Sequence, residues 1–209
     1  IDINNLHDFE SEAFKSADVA IEFTRPDVAE GNIRKAFAAN VPVVCGTTGW
    51  GDKMEAIKEL IKKDNQTLFW TSNFSLGVNI FFAVNKQLAK IMNQFPDYNV
   101  AMTEIHHTQK LDAPSGTAIT LAEGILENLD RKTCWVDEVQ KKNSDIAIKA
   151  IREGQVPGTH IITYESEVDS ITITHEAKNR QGLALGAVIA AEFTAGKKGF
   201  LGMDNLLKF

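Results

Sequence analysis

From Glu104 to Ala118 the chain reads Glu-Ile-His-His-Thr-Gln-Lys-Leu-Asp-Ala-Pro-Ser-Gly-Thr-Ala, which places two imidazoles, an amine and an anion-ready turn in one short run. An imidazole such as that of His106 or His107 exchanges protons near neutral pH, and Lys110 adds a cation and a second proton source. Pro114 forbids a helix immediately before it, Ser115 is a favoured N-cap, and Gly116 lets a ligand approach the backbone. Ser115-Gly116-Thr117 therefore reads as a helix N-terminus, with unpaired N–H groups, two hydroxyls and the positive end of a helix dipole, suited to a carboxylate or a phosphate. Each piece alone has a bland reading as a structural histidine, a solvated lysine or a plain cap. It is their conjunction in one strand-loop-helix that points to an active site binding a small anion.

The surrounding pattern supplies the elements that hold these groups. Tyr98 to Ile105 alternates as a strand, so His106 and His107 fall at its end and point to opposite faces, and Thr117 to Leu126 is helix-periodic. Upstream, Val19–Phe23, Val41–Cys45 and Thr67–Trp70 read as short apolar strands, with helices over Pro26–Ala39 and Asp52–Lys63 between them. Such a βαβαβ rhythm predicts a parallel, doubly wound sheet with ligands at the carboxyl ends of its strands. Those ends carry Phe23-Thr24-Arg25-Pro26, Gly46-Thr47-Thr48-Gly49 and Thr71-Ser72-Asn73-Phe74, which offer hydroxyls, a carboxamide and close backbone approach.

After Gly77 a long helix carries Val78, Phe81, Val84, Leu88 and Ile91 on one stripe, a core spacing with no cofactor role. The polar stretch from Asp130 to Asp145 reads as a surface loop. Ile146–Ile151 alternates as a strand, and Thr159–Ser166 with Ser170–Ala177 as an antiparallel pair; His175 falls within that sheet and outside the chemistry. Gln181–Ala195 is a small-residue helix, capped by Gly196, that returns the chain to the first domain. The expected fold is α/β: a Rossmann-like doubly wound parallel sheet in residues 1–77, completed by 181–209, with an inserted α+β substrate domain in 78–180 built on a mostly antiparallel sheet.

Composition excludes several classes. With 209 residues and 44% hydrophobic content the chain can bury a core, and its apolar runs are too short for a membrane span. A net charge of −6 and a pI near 5.4 argue against nucleic-acid binding. Cys45 and Cys134 form no disulfide framework, so a cytoplasmic location is expected, and the His pair has no metal-spaced partner, so no metal is expected.

The unbroken run Glu104–Ala118 resembles the signature of the 4-hydroxy-tetrahydrodipicolinate reductase (dihydrodipicolinate reductase) family of the bacterial lysine pathway. The strand-end segments from Phe23, Gly46 and Thr71 resemble that family's nicotinamide-binding segments, and Val156–Thr159 and Ile173–Ala177 its substrate domain. The resemblance implies reduction of a cyclic dipicolinate precursor to tetrahydrodipicolinate, with hydride from NADH or NADPH. His106 and Lys110 are then the proton donors; His107, Ser115, Gly116, Thr117, Thr48 and Arg180 bind the small dicarboxylate; Phe23, Thr24, Arg25, Gly46, Thr47, Thr48, Thr71, Ser72, Asn73 and Phe74 line the cofactor. It also implies a homotetramer formed through the substrate-domain sheet.

Asp2 is either an ordinary surface acid or the acid that bonds the adenosine ribose, and only the resemblance favours the second. No glycine-rich fingerprint precedes it, so an additional N-terminal segment of about thirty to forty residues carrying one is expected. Two other functions stay open on the residues alone. One is another nicotinamide-dependent reductase of a small dicarboxylate, which would turn over a different oxo-acid; the other is a non-catalytic dicarboxylate- or nucleotide-binding module, which would bind without hydride transfer.

Overall fold

A computed structural model describes residues 8–208, so the expectation for Asp2 lies outside the described residues. The elements run α1 (Glu12–Lys15), β1 (Ala20–Glu22), α2 (Pro26–Ala38), β2 (Val43–Cys45), α3 (Met54–Asp64), β3 (Thr67–Trp70), α4 (Leu76–Met92) and β4 (Asn99–His106). They continue with α5 (Gly116–Leu126), β5 (Cys134–Asp137), β6 (Asp145–Arg152), β7 (Thr159–Glu165), β8 (Ser170–Glu176), α6 (Gln181–Thr194), β9 (Gly199–Leu201) and α7 (Met203–Leu207). The chain divides into two compact units, one ending at Leu76 and resuming at Gln181, the other spanning Gly77–Arg180.

In the first unit four parallel strands lie in the order β1-β2-β3-β9. The two-residue period of a strand sends Val43 and Cys45 to one face, against Ile33 and Phe37 of α2 and Ile57 and Ile61 of α3. Val44 and Phe69 point to the other, against Ala187 and Ala190 of α6 and Met203 of α7. Burial on both faces is why the central strands β2 and β3 read as near-continuous apolar runs, as strands of parallel sheets do. Strand β9 and helix α7 are additions that periodicity did not reveal. The three residues of β9 are too few to show a pattern, and the strand is defined by its pairing with β3.

The second unit is a five-stranded sheet in the order β5-β6-β4-β7-β8. β4 pairs in parallel with β6 and antiparallel with β7; β5 joins β6 in parallel and β8 joins β7 antiparallel. Where a mostly antiparallel sheet was expected, the pairings are thus evenly mixed. The difference comes from β5, which lies inside the polar stretch taken for a loop. Its register is held by Lys132, whose buried ammonium donates to Asn99 Oδ1 at 2.6 Å and to the carbonyls of Asn143 and Asp145 at 2.6 and 2.9 Å. Those bonds offset the desolvation of the charge. Helices α4 and α5 cover one face of the sheet, packing Phe81, Met92, Leu121 and Ile125 on Val100, Met102, Ile148 and Ile162.

Gly186 is where α6 meets the loop after β3. A Cβ there would stand 1.7 Å from the carbonyl oxygen of Phe74, and a backbone atom cannot yield as a side-chain tip can. Gly186→Ala is expected to destabilise the protein by about 2 kcal/mol or more, given that overpacking typically costs 1–3 kcal/mol. Chemical denaturation checks this; an unchanged midpoint would contradict the packing of α6.

Candidate active site

Strand β4 carries its buried face from the core into polar ground. Val100 and Met102 end in the apolar cluster, and the same alternation buries Glu104 at 0% exposure and His106 at 7%. The register completes the group, with His160 of β7 opposite Glu104 and Arg152 of β6 opposite His106. Oε2 of Glu104 faces Nδ1 of His106 at 3.4 Å and Nε2 of His160 at 3.8 Å. Its Oε1 accepts from the Ser115 N–H at 3.0 Å and from Arg152 Nη2 at 3.1 Å.

Burial pushes the Glu104 carboxyl up, but the contacts with His106, Ser115 and Arg152 outweigh it and hold the pKa at about 2. His160 goes the opposite way from its ordinary value: burial, reinforced by His106, brings its imidazole down to about 4 against the opposing pull of Glu104. At neutral pH the site therefore holds an ionised carboxylate and a neutral His160. The His106 and His160 rings meet edge to face, their centroids 5.2 Å apart. The donor atoms of Glu104, His106 and His160 lie within 4.8 Å of one another, a grouping that the His pair alone did not suggest. The positive charge on this carboxylate is supplied by Arg152.

Arg152 also fastens the loop after β4. Its Nη2 donates to the Asp112 carbonyl at 2.6 Å and its Nε to the Lys110 carbonyl at 3.4 Å. Lys110 in turn bonds both carboxylate oxygens of Asp112, at 2.7 and 2.8 Å, which keeps the Asp112 carboxyl below its usual range. Asp112 is exposed, and exposed pairs of this kind are worth about 1 kcal/mol or less, so a ligand carboxylate can compete for Lys110.

The turn opening α5 divides its groups. Ser115 is buried, its N–H taken by Glu104, its Oγ accepting from the Ala118 N–H at 3.2 Å and lying 3.3 Å from His160 Nε2. Gly116 is exposed, and a Cβ there would meet nothing within 4 Å. Ser115 thus holds the turn from inside, while Gly116 and the half-buried Thr117 face open ground. His107 Nε2 lies 3.1 Å from Arg180 Nη2, with the His107 N–H donated to the Val156 carbonyl at 2.8 Å. His175 packs on Phe81, ring centroids 5.9 Å apart.

In the first unit, the predicted strand-end groups gather around a second buried carboxylate. Glu22 accepts from the hydroxyls of Thr24 and Thr47, the latter at 2.7 Å, and from the Cys45 thiol at 3.1 Å. The Thr24 N–H donates to Thr47 Oγ1 at 2.9 Å, and the indoles of Trp50 and Trp70 both donate to the Thr47 carbonyl, at 2.7 and 3.1 Å. Phe23 leans on Phe74 with centroids 5.2 Å apart and keeps about half its surface exposed, at 52%. Gly46 lets the Phe23 ring lie close over the backbone, since a Cβ there would stand 2.3 Å from the ring and push it aside. Thr48 and Ser72 are exposed. Arg25 pairs with Asp27 at 2.6 Å, Thr71 Oγ1 accepts from the Asn73 N–H, and Asn73 Oδ1 accepts from the Ser75 N–H in the turn before α4. A half-exposed aromatic face beside a glycine-threonine loop at parallel strand ends fits a nicotinamide ring.

Sequence reasoning quoted Glu104 only within a signature and gave no role to Arg152, His160 or Glu22. A count of two from Val100 and Met102 reaches Glu104 and His106, so that signal was present. Arg152 and His160 enter through strand register, which no local pattern announces.

Two family profiles match the chain, "Dihydrodipicolinate reductase, N-terminus" over residues 2–74 and "Dihydrodipicolinate reductase, C-terminus" over 77–207. A relative named 4-hydroxy-tetrahydrodipicolinate reductase from Christiangramia forsetii is 50% identical over 208 residues, covering 99% of this chain and 84% of its own. One of the same name from Methanococcus aeolicus is 36% identical over 187 residues, covering 87% and 67%. Among solved structures, a dipicolinate-bound dihydrodipicolinate reductase from a Paenisporosarcina species superposes with a TM-score of 0.70 at 26% identity, over 88% of this chain and 71% of that one.

The shifted groups make an acid-side stability prediction. His160 takes up its proton near pH 6.5 when unfolded and only near 4 when folded, so the stability it lends is full above 6.5 and falls as pH drops towards 4. Glu104, lowered from 4.5 to about 2, adds a further loss below that window. Denaturation midpoints should therefore fall between pH 6.5 and 4, and His160→Gln should flatten that segment; an equally steep fall in the variant would show that another group carries it.

Proposed function

The chain belongs to the dihydrodipicolinate reductase family, and from that premise we propose that it reduces 4-hydroxy-tetrahydrodipicolinate to tetrahydrodipicolinate in lysine biosynthesis through diaminopimelate, with His106 as general acid. The observation that carries this reading is the pairing of an acid with an anion turn through one residue. Glu104 faces His106 with one oxygen and holds the Ser115 N–H with the other. Proton donor and anion turn are thereby fixed to a common point.

A bound nicotinamide cofactor, NADH or NADPH, supplies the hydride, and Phe23, Thr24, Gly46, Thr47, Thr48, Asn73 and Phe74 are the residues that would hold its ring. The rest falls to the protein. One substrate carboxylate takes the backbone N–H groups of Gly116 and Thr117, where the helix dipole and open space favour an anion. The other draws Lys110 from Asp112, and His107 and Arg180 hold the remaining charge. Loss of the 4-hydroxyl together with a hydrogen from the adjacent ring carbon releases water and leaves a conjugated ring; hydride addition to that ring then leaves negative charge, which His106 quenches with one proton. Self-association as a homotetramer through the second unit's sheet follows the same reading, supported by the half-exposed residues Thr103, Ile105, Ile161 and Thr163 on the face away from the helices. A cytoplasmic setting follows from the lysine-pathway assignment, and no helix among the described residues is long and apolar enough to cross a membrane.

The deciding measurement is NAD(P)H oxidation with freshly generated 4-hydroxy-tetrahydrodipicolinate. His106→Gln should lower kcat by roughly 10²–10⁴-fold with cofactor affinity nearly unchanged, and Lys110→Ala should act similarly. Turnover of another oxo-acid alone would favour a different reductase; binding without hydride transfer would favour a non-catalytic module.

In a separate titration, pyridine-2,6-dicarboxylate should compete with substrate and lose affinity in Gly116→Val, whose branched side chain fills the carboxylate's space. Equal calorimetric affinity in both proteins would move the anion site elsewhere.

A further inference from the structure

Beyond the groups that touch substrate, we propose that Glu104 is the positioning residue of the site: it orients the His106 ring, holds its hydrogen on Nδ1 and leaves Nε2 to deliver the proton. This deepens the reading of His106 as general acid and rests on it. The groups facing His106 support the assignment from every side. From its own strand comes Glu104 Oε2, 3.4 Å from Nδ1. From β7 comes His160, edge to face, and from β6 Arg152, whose charge sits on the far oxygen of Glu104. Lys110 follows on the loop that Arg152 fastens. On the opposite edge of the ring, Nε2 lies against Gly158, where a Cβ would stand 3.0 Å away. Glu104 is the sole anion in this set.

The proton inventory follows from that geometry. As an acid the ring carries hydrogen on both nitrogens. When the Nε2–H bond breaks and its proton moves to the reduced ring of the substrate, the remaining hydrogen must stay on Nδ1, where an ionised carboxylate is placed to accept it. Of the two neutral tautomers that the reaction could leave behind, Glu104 therefore favours the one with its hydrogen on Nδ1 over the one in which Nε2 keeps it. The same carboxylate fixes the Ser115 N–H through Oε1, so the anion turn and the proton donor cannot drift apart independently.

Glu104→Gln tests this with nearly unchanged size. A glutamine can keep its carbonyl towards Ser115 and Arg152 while turning an amide N–H towards Nδ1, which forces that nitrogen to accept and sends the ring hydrogen to Nε2. Expected is a fall in kcat of about 10²-fold or more, with the pyridine-2,6-dicarboxylate dissociation constant within about threefold of wild type. In 15N spectra of histidine-labelled protein, the neutral His106 ring should be Nδ1–H in wild type and Nε2–H in the variant. Glu104→Asp keeps the charge and should keep the Nδ1–H form, with turnover between the two; it decides the matter alone if the glutamine variant does not fold. The proposal falls if Glu104→Gln retains wild-type kcat, if its ring stays Nδ1–H, if the aspartate variant shows the Nε2–H form, or if inhibitor affinity and kcat fall in parallel as a loosened fold would make them. Failure of the family reading looks different: wild type would not turn over the precursor at all, while the ring spectra would still report whether Glu104 sets the tautomer.

Discussion

A carboxylate that is ionised yet fully buried needs compensating charge and donors, and that requirement shapes the second unit around Glu104. Leaving such a charge unpaired costs several kcal/mol, so each group that meets it becomes structurally obligatory. Arg152 supplies the balancing charge and the Ser115 N–H a fixed dipole, both on Oε1, while Oε2 makes no hydrogen bond and only faces His106 at 3.4 Å and His160 at 3.8 Å. Those partners come from β4, β6, β7 and the start of α5. One polar side chain thus ties together the elements whose register sets the site, and the apolar core beneath supplies the rigidity.

The first unit solves the same problem at a smaller scale. Glu22 ends β1 as a buried acid, and the hydroxyls of Thr24 and Thr47 and the Cys45 thiol close on it. Among the described residues the partners are neutral, and the arrangement organises the loops through hydroxyl and thiol donors. Burial together with the neighbouring Glu22 charge pushes the Cys45 thiol well above its usual range, which makes it an inert donor to the carboxylate rather than a nucleophile. In both units the acid sits at the carboxyl end of a parallel-paired strand, where the chain leaves the sheet and loops must be held in defined places.

How much of this was legible before the structure depends on the range of the signal. The first sheet's strands and helices announce themselves, because Val43–Cys45 and Leu68–Phe69 are apolar on both faces, α2 opens on Pro26 and both α2 and α3 carry periodic stripes. The turn at Ser115 was equally plain from Pro114 and Gly116. What the sequence hid was register: nothing local to Arg152 or His160 says that they stand beside His106 and Glu104, since pairing across strands is a property of the assembled sheet. Strand β5 was hidden for a related reason. Its four residues show no alternation, and their place is decided by Lys132 bonding to three backbone and side-chain oxygens from elsewhere in the unit.

The two proposed proton sources differ in how they are held, and that difference suits them to different work. His106 is enclosed by Glu104, His160 and Gly158, so its ring has one orientation and no freedom to follow a moving partner. Lys110 stands on a loop, its ammonium at the end of a flexible stem and its partner Asp112 open to solvent. An ammonium so placed exchanges one carboxylate for another at little cost, whereas an imidazole so enclosed does not move. Rigid geometry suits the group that must meet one reacting atom, because a transfer distance is set before the charge develops. A mobile cation suits the group that must find an incoming anion first and balance its charge afterwards. Arg152 connects the two regimes: one guanidinium bonds the buried carboxylate and the carbonyls of the loop, so Lys110 swings from an anchored base rather than from a free segment.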